Sequence, residues 1–299
     1  MDGIILINKE KDYTSHDVVN IVKKLTKSKV GHTGTLDPNA TGVLPLLLGN
    51  ATKISKYLIN HDKIYNVTLK LGITTTTADE EGEIIQEKEV SANVLENNNV
   101  KKILKKFIGK QKQIPPIYSA IKVNGRKLYD YARKGQTVEL QPRDIEIYNI
   151  KLLSINKNLN QIQFLVECSK GTYIRSLCEN IAEKLGTVGY MKDLDRIKVG
   201  KFTIENSIKI ENLKKELEEN NLSHIIPIEQ IFKHNNEIKL EQKLLDKYIN
   251  GVKIPLDNLN VIQNKDDIEN KEVYRIYNNS TFIGLGIVSN GYLKRDLVL

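Results

Sequence analysis

Gly31-His32-Thr33-Gly34-Thr35-Leu36-Asp37-Pro38-Asn39-Ala40-Thr41-Gly42-Val43-Leu44 is the stretch around which this chain is organised. Its glycines allow positive φ and close backbone approach to another molecule. Pro38 biases Asp37 away from the helical region, towards an extended or turn geometry. The apolar run Val43-Leu44-Pro45-Leu46-Leu47-Leu48 follows at once. These features describe a shaped loop holding one carboxylate at a rigid edge of the core. A plainer reading is a glycine-rich turn whose Asp caps the chain, because Asp-Pro and Thr-Gly pairs are common turn chemistry. The residues of this stretch alone leave both open.

The chain has 299 residues, enough for one large domain and a small one. Hydrophobic residues make up 40% and charged residues 27%, which fits a folded, soluble protein rather than a disordered one. A net charge of +8 and a pI near 9.1 point to a polyanionic partner, nucleic acid ahead of an anionic membrane. Two cysteines, Cys168 and Cys178, form neither a disulfide framework nor a cysteine-rich zinc site. They suit a reduced, cytoplasmic setting. The N-terminal apolar run is too short for a signal peptide, and no run approaches the length of a membrane span.

Outward from the central stretch, Gly3 to Ile7 reads as a buried strand. Thr14-Ser15 offers an N-cap to a helix over His16 to Lys27, with Val18, Val19, Val22 and Leu25 at helical spacing. Ser15, His16 and Asp17 carry the letters of a hydrolase triad, but adjacent helical residues point apart. Gly49-Asn50-Ala51-Thr52-Lys53 leads into a short helix ending near Leu58. Tyr65, Val67, Leu69 and Leu71 alternate as one face of a strand. Val100 to Ile108 is an amphipathic helix with Lys101, Lys102, Lys105 and Lys106 on its polar side and Gly109 as its C-terminal cap. Ile145 to Leu153 and Gln161 to Cys168 form a strand pair. Beyond Lys233 the chain turns Asn- and Lys-rich. A helix is expected over Leu240 to Gly251, then strands over Val273–Tyr277, Phe282–Val288 and Tyr292–Leu299, with Asn290-Gly291 as a hairpin turn.

The central stretch resembles the catalytic motif of bacterial tRNA pseudouridine-55 synthases, the TruB family. Further segments are similar: Lys63-Ile64-Tyr65, Asp79-x-x-Gly82, Gln113 to Lys122 with Gly125, Arg126, Tyr129 and Arg133, then Ser169-Lys170-Gly171-Thr172-Tyr173-Ile174-Arg175, and Leu194-x-Arg196-x-x-x-Gly200-x-Phe202. The resemblance implies an α+β pseudouridine synthase fold. A mixed, mostly antiparallel central sheet is flanked by helices, and a small C-terminal PUA-like β domain follows. Residues 1–233 would be catalytic, about 110–145 an RNA-gripping insertion, and 234–299 the small RNA-binding domain. Two departures stand out. The family pattern Lys-Pro-x-Gly-x-Thr-Ser appears here as Lys9-Glu10-Lys11-Asp12-Tyr13-Thr14-Ser15, which points to a different local turn. An arginine common after the leucine of the last motif is Asp195 here.

By the same resemblance the reaction is isomerisation of a uridine in the T loop of tRNA. The base is flipped out, its bond to C1′ is broken and C5 is joined in its place. Asp37 is the essential carboxylate, Arg175 its ion-pair partner, and Tyr65 the ring against the target base. His32 fits a wedge in the space the base leaves; Tyr173 and Leu194 contact the flipped nucleotide, and Lys9 supports the site. Lys122, Arg126 and Arg133 would grip the RNA backbone, since ammonium and guanidinium groups meet phosphates while tyrosines stack on bases. One carboxylate serves either as nucleophile at C1′ or as base at C2′, and the sequence does not separate the two. No cofactor and no metal are implied, and no second carboxylate stands near the motif to make a glycosidase pair. The expected partner is the tRNA T stem-loop, with no membrane, no obligate protein partner and a monomeric enzyme. A non-catalytic tRNA-binding or tRNA-folding module is the alternative.

Overall fold

The computed structural model describes residues 1–119, 121–123, 125–136, 138–259 and 272–299. The large sheet is mixed and mostly antiparallel, as the resemblance implies. Its strands run in the order Gly3–Lys9, Thr41–Leu48, Gly189–Val199, Lys63–Leu71, Gln161–Cys168, Arg143–Asn156 and Gly109–Gln113. Among the described residues of this sheet, only the strands Thr41–Leu48 and Gly189–Val199 pair in parallel, at Asp195–Thr41 and Arg196–Gly42. Gly42 permits this junction. Its φ is +107°, and a Cβ there would lie 2.3 Å from the Arg196 carbonyl oxygen.

Both sheet faces are covered near the first strand, because alternate side chains enter different cores. Ile5 and Ile7 join a cluster with Val18, Val22, Ile103, Leu104, Leu177 and Ile181, from the helices Ser15–Thr26, Asn97–Lys105 and Ile174–Lys184. Ile4 and Leu6 join another with Ile54, Phe232, Leu285 and Leu297. The expected face Tyr65, Val67, Leu69 and Leu71 is buried in the first cluster. Thr14 caps the first helix in a reciprocal box with Asp17, so Asp17 is a capping residue.

The helix expected over Val100–Ile108 spans Asn97–Lys105 and ends with Lys106 in right-handed geometry. Gly109, with φ +111°, opens the edge strand Gly109–Gln113 instead of capping the helix. Glu237–Lys239, Val273–Asn278, Thr281–Ser289, Tyr292–Val298 and Ile254–Pro255 form the C-terminal five-stranded sheet, in that order. Asn290 and Gly291 both have positive φ, as a two-residue hairpin turn needs.

Candidate active site

Asp37 sits in a loop whose carbonyl groups are held by side chains from three other elements. The turn Asp37-Pro38-Asn39-Ala40 closes with Ala40 N–H donating to the Asp37 carbonyl at 3.1 Å. The Ser15 hydroxyl both accepts from Leu36 N–H at 2.8 Å and donates to the Leu36 carbonyl at 2.9 Å. Lys9, fully buried, spends its three donors on the carbonyls of Glu10, Tyr13 and Pro38. Burial lowers its ammonium pKa to about 8, with Asp37 the first group pulling it back up. Arg196, also buried, donates to the carbonyls of Val43, Thr35 and Gly34 at 2.9, 3.3 and 3.1 Å.

Arg175 stands at the start of the helix Ile174–Lys184, after the left-handed turn residue Gly171. Its Nε lies 3.1 Å from Asp37 Oδ2, and its Nη1 lies 3.5 Å from Asp79 Oδ2. The same guanidinium donates to the carbonyls of Thr77 at 3.2 Å and Tyr118 at 2.8 Å. One cation thus serves two carboxylates, leaving the group with a net negative charge. Asp79 is nearly inaccessible, whereas the Asp37 side chain keeps 31% of its surface. Burial nevertheless raises the Asp37 carboxyl above its ordinary value. Arg175 opposes this, Asp79 adds to it, and Lys9 and Arg196 oppose it further.

Gln113 locks the neighbouring segment. It accepts from Tyr173 N–H at 2.8 Å and donates to the Tyr173 carbonyl at 2.9 Å. Ser176 donates to the Ile114 carbonyl at 3.0 Å. Residues 113–118 are thereby laid along the helix start, which carries the Tyr118 carbonyl to Arg175. Asp37, Tyr65, Tyr173, Arg175 and Leu194 line a single cleft of about 890 Å³, together with Lys63, Tyr118, Tyr129, Arg143, Lys170 and Arg196. Tyr65 is paired across the sheet with Arg196. Burial pushes its phenol up to about 12, Arg196 partly opposing, so the hydroxyl is protonated at neutral pH.

Residues 22–174 match the model of the TruB family pseudouridylate synthase N-terminal domain, and residues 175–233 that of the tRNA pseudouridylate synthase B C-terminal domain. A protein from Clostridium tetani named tRNA pseudouridine synthase B is 45% identical, over 96% of this chain and 95% of its own. A protein of the same name from Aquifex aeolicus is 39% identical over the full length of both. The chain belongs to the TruB family of pseudouridylate synthases. Among solved structures, a Cbf5–Nop10–Gar1 complex contains a chain with TM-score 0.68 and 25% identity, over 96% of this chain and 78% of that one. A chain of an H/ACA RNP bound to a substrate RNA containing 2′-deoxyuridine gives TM-score 0.70 at 22% identity, over 99% and 84%, a likeness of fold.

Against the TruB motifs, the cleft gathers Asp37, Tyr65, Tyr173, Arg175 and Leu194 and excludes three other groups. Lys9 has its three donors on backbone carbonyls and acts on the loop, a supporting place and not one in the cleft lining. His32 lies half-buried in the short strand Val30–His32, outside the cleft lining, and burial lowers its imidazole pKa. Lys122, Arg126 and Arg133 are exposed and do not line the cleft; Arg133 lies over the Tyr129 ring at 5.5 Å. Ala120 of that TruB signature lies outside the described residues. Asp12, standing where the family pattern has Gly, takes φ +68°, a conformation Gly adopts freely. The turn is therefore built at that position without the glycine. Asp195 accepts from the Thr41 hydroxyl at 2.9 Å, tying the two parallel strands.

Sequence reasoning missed the loop-holding role of Arg196 and the bridging role of Asp79, although both lie inside motifs it quoted. It also passed over Lys63, Lys170 and Arg143 as cleft cations. Their signal was adjacency: Lys63 is two residues before Tyr65 and on the same strand face, and Lys170 precedes the Gly171 turn.

Proposed function

We propose that this chain isomerises uridine to pseudouridine at position 55 in the T loop of tRNA, with Asp37 as the essential carboxylate. The observation that carries this reading is the Asp37–Arg175 pair, with an anionic oxygen held at the edge of a cleft large enough for a flipped nucleotide. As the N1–C1′ bond breaks, positive charge develops at C1′, and the ionised Asp37 either bonds to C1′ or removes the C2′ proton. The uracil, still in the cleft, turns so that C5 bonds to C1′; on the first route this breaks the Asp37–C1′ bond, and on the second Asp37 returns the proton to C2′. C5 then loses its proton as N1 gains one, so the reaction balances with no external oxidant or leaving group. Tyr65 supplies a ring face to the base, and its protonated hydroxyl can pass a proton on but is a poor base. Removing a uridine from its stack costs a few kcal/mol, which Tyr173 and Leu194 help offset.

The same reading takes residues 1–233 as the catalytic part, about 110–145 as the RNA-gripping insertion and 234–299 as a small RNA-binding domain. It has the enzyme act as a cytoplasmic monomer on tRNA. A binding module would place no carboxylate beside RNA phosphates, which favours the enzyme. The test is pseudouridine formation in a T stem-loop RNA under single-turnover conditions, read by a pseudouridine-reactive label and mass spectrometry. The Asp37→Asn protein is expected to lose several powers of ten in rate, roughly the worth of a nucleophile or base, while still binding the RNA. A rate within a few-fold of the parent, with deamidation excluded by peptide mass, would make the motif structural.

A further inference from the structure

We propose that Lys63, with Lys170 beside it and Arg143 at the rim, holds a backbone phosphate next to the reacting nucleotide, so that these residues position the substrate strand. The inference rests on the RNA-modifying reading above and names the part of the substrate that those side chains take.

Lys63 lines the cleft two residues along the strand from Tyr65 and on the same face. Its one described hydrogen bond goes to the His61 carbonyl, which leaves two donors of its ammonium group. No carboxylate pairs with it among the described residues. Asp62 lies nearby, beyond ion-pair distance, and accepts from the Tyr148 hydroxyl at 3.2 Å. The charges that most disfavour the Lys63 ammonium are other cations, Arg196 and Lys170, acting on top of burial. Lys170 donates to the Asn60 side chain at 2.7 Å, and Arg143 makes no ion pair among the described residues. The cleft is thus divided. Around Asp37, two carboxylates share one guanidinium; around Lys63, cations stand together, and among the described residues none of Lys63, Lys170 and Arg143 has a carboxylate within ion-pair distance.

A half-buried ammonium among like charges is costly unless an anion joins it. Base and ribose are neutral, so the anions an RNA brings are its phosphates. Around Asp37 the cations Lys9, Arg175 and Arg196 are already bonded to carbonyls and carboxylates, which leaves the Lys63 side as the place where a phosphodiester finds uncommitted donors. At about 890 Å³ the cleft is near the top of the usual range for small-ligand sites, with room for more than one base and its ribose.

The test is a binding cycle on the full-length protein with T stem-loop RNAs. These carry an uncharged methylphosphonate at one or the other phosphate flanking the target uridine. Lys63→Met, which keeps the aliphatic stem, is expected to weaken binding of the unmodified RNA about tenfold and to flatten the log–log salt slope by about one unit. At one of the two positions, the methylphosphonate should cost the parent protein about tenfold and Lys63→Met less than about twofold, because both changes remove the same contact. Lys63→Arg should bind within about threefold of the parent. Lys170→Met, run through the same cycle, covers the case in which Lys63→Met does not fold. Losses that multiply at both positions, or Lys63→Met binding as tightly as the parent, would overturn the inference. Pseudouridine formation by the parent is read on the unmodified RNA. Product with multiplying losses sinks this inference alone; no product and no coupling sink it together with the proposed function.

Discussion

Asp37→Asn and Arg175→Ala are expected to abolish turnover alike and to move stability in opposite directions. The Arg175 side chain is only 7% exposed and meets two carboxylates and two carbonyls. Truncating it strands Asp79 and Asp37 together in a buried site with no cation between them. Breaking such a pair by removing one partner costs about 3–5 kcal/mol. Asp37 behaves oppositely. Burial raises its carboxyl above 3.8, so the folded state binds that proton more tightly than the unfolded one. The ionised form therefore costs stability, and this cost grows as pH rises from the unfolded value through the folded one. An amide at this position carries no such cost and can still accept from Arg175, which keeps Asp79, Thr77 and Tyr118. Asp37→Asn should thus be as stable as the parent at pH 7 or more so, and should lose the part of the acid-range pH dependence that belongs to this group. Because turnover needs the ionised carboxyl, the parent's rate should fall as pH drops through the raised value, and Arg175→Lys, with its poorer geometry, should move that fall to higher pH. Urea unfolding at pH 5 and 7.5, alongside single-turnover rates, reads all of this. If Asp37→Asn destabilises as much as Arg175→Ala, Asp37 is the structural half of an ion pair and the reasoning fails.

Asp12→Gly is expected to stabilise the chain by about 0.5–1 kcal/mol, since a residue at φ +68° gives way to one without a Cβ penalty; a lowered urea midpoint would contradict it. Replacing Lys122, Arg126 or Arg133 by Ala should weaken tRNA binding and flatten the salt slope by up to about one unit each; three unchanged slopes would make them solvated surface charges. Turnover should persist in EDTA when the tRNA is held folded, because no three His, Cys, Asp or Glu side chains come together as a metal site among the described residues; loss restored by a divalent ion would count against it.

The parts of the fold legible in sequence were those where burial is periodic. Ser15–Thr26 shows helical spacing plus a cap, and Lys63–Leu71 alternates cleanly. Gly189–Val199 is the strand that joins the two halves of the sheet, yet it escaped notice. Its residues Lys192, Asp193, Asp195, Arg196 and Lys198 break the apolar signal. The buried one among them, Arg196, is inside because carbonyls of Val43, Thr35 and Gly34, 153, 161 and 162 residues away, satisfy it, and no local pattern announces a distant acceptor. Asp79 was missed for the same reason: its partner is 96 residues on, and a carboxylate between threonines and Glu80 reads as solvent-exposed. Asp37 stood out because the backbone chemistry that shapes its loop is itself local.

The cations that hold the Asp37 loop are bonded to carbonyl oxygens and not to carboxylates, and this choice has an electrostatic consequence. A lysine paired with a carboxylate would fix the Pro38 carbonyl equally well but would bring its own neutralising charge. Lys9 and Arg196 remain net positive within the site, and both pull the Asp37 carboxyl back towards its ionised form. Burial excludes water from the reaction and raises the carboxyl; these same two residues offset that rise while fixing the loop in space. Their charge is thus used twice, once as hydrogen-bond donors that set where Asp37 stands and once as a field that favours the form it must take. A neutral donor in place of Lys9 would repeat the first effect only, so the charge would be lost while part of the geometry was kept.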